Sequence, residues 1–228
     1  MKIAGLQKLT LLDYPSKTAC IIFTQGCNFK CSFCQNSELI PLKGNEEITE
    51  DEILNYLSKR KTVLDGVVIT GGEPTIQKDL KDFITKIKEL GYLVKLDTNG
   101  ANYNMLKELI EENLIDYIAM DIKTTFEDYE SVIKTKVKID NIKESIKLLK
   151  KASINHEFRT TIIKNIHDID KILEICKYLG DSEKYFLQNF EQSEYVVDKT
   201  LESFSKEELI NIQKIVGEKF PNVIVRNL

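Results

Sequence analysis

Three of the chain's five cysteines fall within eight residues, Cys27, Cys31 and Cys34, in the spacing C-x3-C-x2-C. Thiolates so close together bind metal or do redox chemistry more readily than they form disulfides. A structural zinc site would need a fourth Cys or His to close it. The only histidines, His156 and His167, lie more than 120 residues further along. Cys20 would sit roughly 23 Å from Cys27 on an extended strand, and Cys176 lies on the apolar stripe of a helical segment. Both read as buried small hydrophobes. Three thiolates without a fourth could hold three irons of a [4Fe–4S] cluster and leave one iron open, since such clusters ordinarily take four cysteines. Spacing alone leaves two alternatives: a zinc knob closed by a distant histidine, and a set of free redox-active thiols.

Three further segments could do chemistry. Gly71-Gly72-Glu73-Pro74 combines close backbone approach with a negative charge. It lacks the Lys and Ser of a phosphate loop, so it suits an ammonium; an ordinary strand-to-helix turn is the plainer reading. Asp97-Thr98-Asn99-Gly100 and Met120-Asp121-Ile122-Lys123 put carboxylates at strand ends, where burial is costly unless they are paired or coordinated. Arg159 alternates with Phe158, so it faces the other side of its strand. There it would meet either an anionic ligand or an Asp or Glu of the chain. Gln188 is a weaker candidate, and His156 and His167 read as surface or turn residues.

These groups need elements to position them. Apolar, β-branched runs occur at residues 18–24, 66–70, 92–97, 117–121, 157–163 and 185–188, with a last candidate at 222–225. Between them, apolar residues recur at helical spacing: Leu80, Phe83, Ile84, Ile87 and Leu90; Ile142, Ile146 and Leu149; Ile169, Ile172, Leu173, Cys176 and Leu179. Thr49 with Glu52 and Ser205 with Glu208 form capping boxes, and Ile48 with Ile53 is placed as a staple. Gly91 and Gly180 stand where helices end. Strands alternating with helices imply parallel pairing through right-handed crossovers. The opening 1–17 does not fit that alternation and reads as an extended N-terminal piece against the first strand. The cysteine loop, Gly71–Glu73, Asp97–Thr98 and Asp121–Lys123 each follow the C-terminal end of a successive strand, the edge where parallel α/β architectures collect their chemistry.

Composition sets the outer limits. Of 228 residues, 42% are hydrophobic, 30% are charged and only four are proline, which excludes a disordered or low-complexity chain. Thirty-two basic against 36 acidic residues, net −4, argue against a nucleic-acid-coating surface. No apolar run approaches the roughly 20 residues of a membrane helix, and the first residues lack a signal-type apolar core. A cytoplasmic, metal-bearing chain, organised as one domain over 1–228, is expected.

The cysteine loop, with Phe33 as the aromatic in C-x3-C-x-aromatic-C, resembles the radical S-adenosylmethionine enzymes. That resemblance implies an incomplete (β/α)6 barrel, with Cys27, Cys31 and Cys34 holding a [4Fe–4S] cluster whose open iron chelates S-adenosylmethionine. Reductive cleavage would give methionine and a 5′-deoxyadenosyl radical. The family's GGEP segment, matched at Gly71, Gly72, Glu73 and Pro74, implies contact with the cofactor's amino group. The DTNG and D-x-K stretches look like those of glycyl radical enzyme activating enzymes. They imply a monovalent cation ringed by Asp97, Thr98, Asp121 and the carbonyl of Ala119, and Arg159 would take the methionyl carboxylate. The opening 1–15, with residues 23–29, is similar to the short anaerobic ribonucleoside-triphosphate reductase activating proteins. This implies a glycyl radical enzyme as protein substrate and a flavodoxin- or ferredoxin-type electron donor. Ser32 and Gln35 depart from the Pro and His that relatives often place beside the third cysteine. A radical enzyme acting on a small molecule, of the 7-carboxy-7-deazaguanine synthase kind, and a zinc-binding interaction module are the alternatives.

Overall fold

Every strand expected from the sequence enters one sheet in chain order. The computed structural model describes residues 1–44, 48–181 and 183–226. Its strands are β1 (Ile3–Thr10), β2 (Ala19–Thr24), β3 (Gly66–Gly71), β4 (Leu93–Thr98), β5 (Tyr117–Asp121), β6 (Asn155–Ile162), β7 (Tyr185–Asn189) and β8 (Val223–Arg226). They pair in the order β1 to β8; β1 runs antiparallel to β2, and all later pairs are parallel. The opening segment is thus the expected extended piece, as β1, and the sheet has one parallel strand more than six. β1 and β8 form its two edges, so the barrel is incomplete.

Helices α1 (Glu50–Ser58), α2 (Leu80–Glu89), α3 (Tyr103–Glu111), α4 (Tyr129–Ile133), α5 (Ile139–Lys151), α6 (Ile169–Leu179) and α7 (Lys206–Lys219) fill the connections. Both capping boxes form, at Thr49–Glu52 and Ser205–Glu208, satisfying N–H groups that helix starts leave unpaired. Gly91 and Gly180 take positive φ after α2 and α6, as their positions predicted. α3 and α4 are additions: α3 buries only Leu106 and Leu109, and α4 is five residues long, so neither shows a sustained helical period.

The period-2 alternation of each strand divides the sheet into two different faces. Outward residues such as Cys20, Ile22, Val67, Ile69, Val94, Leu96, Ile118, Met120, Phe158 and Leu187 join the helices in the main core. Near the strand starts the inward residues Ala19, Ile21, Val68 and Tyr117 make a small second cluster with Tyr14, against which Phe23 and Leu93 pack. The same face carries Lys95, level with Val68 and Tyr117, and beyond it Asp97 on β4, Asp121 on β5, and Glu157 and Arg159 on β6. The inner face therefore turns from apolar to charged toward the C-terminal ends of the strands.

Candidate functional site

A cavity of about 290 Å3 opens at that charged end, lined by Cys27, Cys31, Phe33, Cys34, Gly71, Gly72, Glu73, Asp97, Thr98, Asp121, Arg159 and Gln188. All the expected site residues meet there, although they come from six separate stretches of chain. A larger cavity, about 630 Å3, lies among the N-terminal strand ends beside Tyr14, Asp116, Tyr117 and Asn155, and none of the motif residues lines it.

The cysteine loop is held by backbone and ring contacts. Gly26, at φ +98°, starts it, and its N–H donates to Leu39 O at 2.8 Å. The Phe29 N–H donates to Cys27 Sγ at 3.3 Å, and Cys34 N–H to Cys31 O at 3.2 Å. Phe29 packs edge-on against Tyr129, with ring centroids 6.4 Å apart. Ser32 O accepts from Asp198 N–H at 3.1 Å, and Gln35 donates to Glu191 O at 2.6 Å. The two positions that depart from relatives thus tie the cysteine loop to the segment after β7. Burial pushes the Cys27 thiol up to about 12 and Cys31 to about 11, and raises Cys34, while Lys123 pulls each of them back.

Among the described residues, no three Cys, His, Asp or Glu side chains converge tightly enough to enclose one metal ion. The three thiols instead border a shared cavity, an arrangement suited to a four-iron cube with one open corner rather than to a zinc knob. No histidine reaches them. His167 corrects the surface expectation: it is fully buried in the turn after β6. Its Nδ1 accepts from Ile163 N–H at 3.1 Å and its Nε2 meets Lys123 O at 3.0 Å, so it anchors the loop after β5. Burial depresses its pKa to about 4. His156 is a half-buried strand residue paired with Glu183 at 2.7 Å. Cys20 and Cys176 are fully buried in the core, where burial pushes both thiols to about 12.

The Gly-Gly-Glu loop fits against the cysteine loop with no spare room. Glu73 N–H donates to Gly26 O at 2.8 Å, and a Cβ on Gly72 would stand 2.1 Å from that same oxygen. Glu73 is 1% exposed and its carboxylate is fully engaged inside the protein. Oε1 accepts from Thr75 N–H (3.1 Å), Thr75 Oγ1 (2.6 Å) and Thr98 Oγ1 (2.7 Å), and Oε2 accepts from Asn99 N–H (2.7 Å). Burial raises its pKa and these donors only partly offset the rise. Glu73 therefore braces the loop after β4 to the loop after β3. Asn99 extends the brace by donating to Asn28 Oδ1 at 2.8 Å, beside Cys27. Asn28 and Thr75 were not singled out in the sequence, and Asn99 only as part of its strand-end segment; each is a short polar residue in a turn, and only the fold makes them partners.

The carboxylates expected to ring a cation have other partners. Asp97 contacts Lys95 Nζ through Oδ1 and Arg159 Nη1 at 3.3 Å through Oδ2. Asp121 accepts from Arg159 Nε at 2.9 Å and Lys123 Nζ at 3.0 Å. Thr98 Oγ1 turns to Glu73 and accepts from Gly100 N–H at 3.1 Å. In this structure the oxygens of Asp97 and Asp121 are engaged by the chain's own cations. Arg159 likewise takes the ion-pair alternative, bridging two strands' Asp residues while still lining the cavity. Burial pushes Asp121 upward, but Arg159 and Lys123 outweigh it and hold its carboxyl well below the usual carboxylate range. Lys95 is the charged residue that the sequence reading missed. Its signal was the i, i+2 spacing to Asp97, which puts both on one face of β4.

Comparison with known proteins agrees with this geometry. The Radical SAM superfamily model matches residues 21–179. The chain belongs to the radical S-adenosylmethionine superfamily, and it is an enzyme whose cofactors are a [4Fe–4S] cluster and S-adenosylmethionine. A Methanocaldococcus jannaschii protein assigned by name to the glycyl-radical enzyme activating enzymes is 35% identical over 99% of this chain and 96% of its own length. The pyruvate formate-lyase-activating enzyme of Clostridium pasteurianum is 28% identical, over 90% of this chain and 97% of that one. Within the superfamily, the chain stands among the glycyl-radical enzyme activating enzymes. Streptococcus suis SuiB bound to S-adenosylmethionine shares the fold, with a TM-score of 0.71 at 16% identity over 89% of this chain and 48% of that one.

Proposed function

We propose that this chain takes a hydrogen atom from a glycine of a partner protein, and that the partner is an anaerobic ribonucleoside-triphosphate reductase-like glycyl radical enzyme. The observation that carries the reading is the convergence of three thiols, the Gly-Gly-Glu loop and the two Asp loops on one cavity at the end of an unclosed sheet. The reductase-like partner is supported by the character of residues 1–15. The 228 residues act as one radical S-adenosylmethionine domain, in a reducing compartment such as the cytoplasm, with a flavodoxin- or ferredoxin-type donor.

When bound, the cluster and S-adenosylmethionine supply one-electron cleavage of the sulfonium. The chain's own residues do the positioning. Cys27, Cys31 and Cys34 would hold the cluster through three of its irons, and Phe33, 4% exposed, packs the loop between them against the core. Gly71 and Gly72 would let the backbone approach the cofactor's amino group, with Glu73 bracing their loop to the one after β4. Arg159, oriented by Asp97 and Asp121, offers positive charge to the methionyl carboxylate. With the cofactor bound, this site would supply homolytic cleavage of the partner's glycine Cα–H bond, the hydrogen passing to the adenosyl group and the radical staying on the partner.

Anaerobic reconstitution followed by dithionite and S-adenosylmethionine tests this, with 5′-deoxyadenosine followed by chromatography and the glycyl radical by electron paramagnetic resonance. The expected result is release that rises on adding the reductase-like partner, with a doublet on that partner. Release stimulated instead by a pterin-like small molecule, with no protein radical, overturns the proposal.

A further inference from the structure

The four carboxylate oxygens of Asp97 and Asp121 have one cationic donor each. Lys95 and Arg159 serve Asp97, and Arg159 and Lys123 serve Asp121. The set is three positive charges against two negative, and it faces the cavity through Arg159. Lys95 closes the far end. It projects inward from β4, opposite Tyr117 of β5 in register, and is 2% exposed. A lysine so deeply buried is tolerated only when paired. Thr98, expected in the ring of oxygens, donates its hydroxyl hydrogen to Glu73 and accepts from the Gly100 N–H.

We propose that the Lys95 ammonium is a built-in replacement for a monovalent cation at this site, so that this protein binds S-adenosylmethionine without K+ or Na+. The tethered charge fixes Asp97, Asp97 and Asp121 together fix the guanidinium of Arg159, and the remaining single positive charge is matched by the methionyl carboxylate. A free cation would raise the set to four positives against two negatives, and all four carboxylate oxygens it would need are already paired. Lys95 is thus a positioning residue, acting on the cofactor through Asp97 and Arg159. The inference rests on the cofactor site described above.

The test compares reconstituted wild type with Lys95→Met and Lys95→Arg in KCl, NaCl and choline chloride at equal ionic strength, reading S-adenosylmethionine affinity by equilibrium dialysis. Wild type and Lys95→Arg should bind equally in all three salts. Lys95→Met should lose about tenfold or more in choline, the scale of one charge-assisted hydrogen bond, and regain most of it in KCl or NaCl. A wild-type affinity that collapses in choline overturns the proposal, as does a Lys95→Met protein that binds like wild type there. Thermal melting of the cluster-free proteins gives a readout independent of the cofactor: KCl should stabilise Lys95→Met relative to choline and leave wild type unmoved. Equal melting shifts in the two proteins also overturn the proposal. Failure of the cofactor site itself would appear separately, as no S-adenosylmethionine binding by wild type in any salt.

Discussion

Acidification should unfold this protein partly through one histidine, and the structure sets the size of the effect. His167 is fully buried, and its Nδ1 accepts from the Ile163 N–H. Protonating that nitrogen would place two donors face to face. Burial holds its folded pKa near 4, from an ordinary 6.5. A depressed histidine binds fewer protons folded than unfolded, so stability is intact above 6.5 and is lost as pH falls toward 4. At 1.36 kcal/mol per pKa unit, the loss is about 2 kcal/mol by pH 5 and about 3 kcal/mol by pH 4. The assay is urea denaturation of the cluster-free protein under reductant from pH 7 to pH 4, wild type against His167→Gln. The glutamine offers an oxygen to Ile163 N–H and an N–H to Lys123 O but does not titrate. Carboxylates lose stability in both proteins, so the difference between the two curves isolates His167. That difference should shift by about 3 kcal/mol in favour of the variant between pH 7 and pH 4. Curves that stay parallel within about 0.5 kcal/mol would refute the assignment of a neutral, buried imidazole.

Three other outcomes follow from the site. Alanine at Cys27, Cys31 or Cys34 should abolish cluster assembly, whereas Cys20→Ala and Cys176→Ala should keep full iron and sulfide; iron analysis after anaerobic reconstitution decides. Gly72→Ala should lower stability by about 1–3 kcal/mol, since its Cβ meets a backbone oxygen that cannot rotate away, and should weaken S-adenosylmethionine binding; an unchanged melting curve would mean that the two loops are not locked together. Asp121→Ala frees Arg159 Nε and Lys123 from their carboxylate and should weaken S-adenosylmethionine binding about tenfold or more without removing iron, read by dialysis and iron content; unchanged affinity would remove the orienting role given to Asp121.

The sequence by itself determined the order of elements and the identity of the site. Strand runs, capping boxes and helical stripes are local signals, because each follows from a period of 2 or 3.6 and from the chemistry of a few adjacent residues. The C-x3-C-x2-C loop, Gly71–Glu73, Asp97–Thr98 and Asp121–Lys123 were visible for the same reason, each lying within a few residues and just past a strand. Only the tertiary structure decided who partners whom. The pairing of Arg159 with Asp97 and Asp121 depends on β4, β5 and β6 being neighbours in register, and that is a property of the sheet. Glu73 carries a charge suited to an ammonium, yet its oxygens are taken by donors 25 and 26 residues away as well as by Thr75. His167 looked like a surface or turn residue; it is in a turn, but the loop after β5 meets it through Lys123 O and it is fully buried. Hydrogen bonds and ion pairs between distant segments leave no periodic trace in the chain, so an expected ligand ring became a closed network of ion pairs when the strands came together.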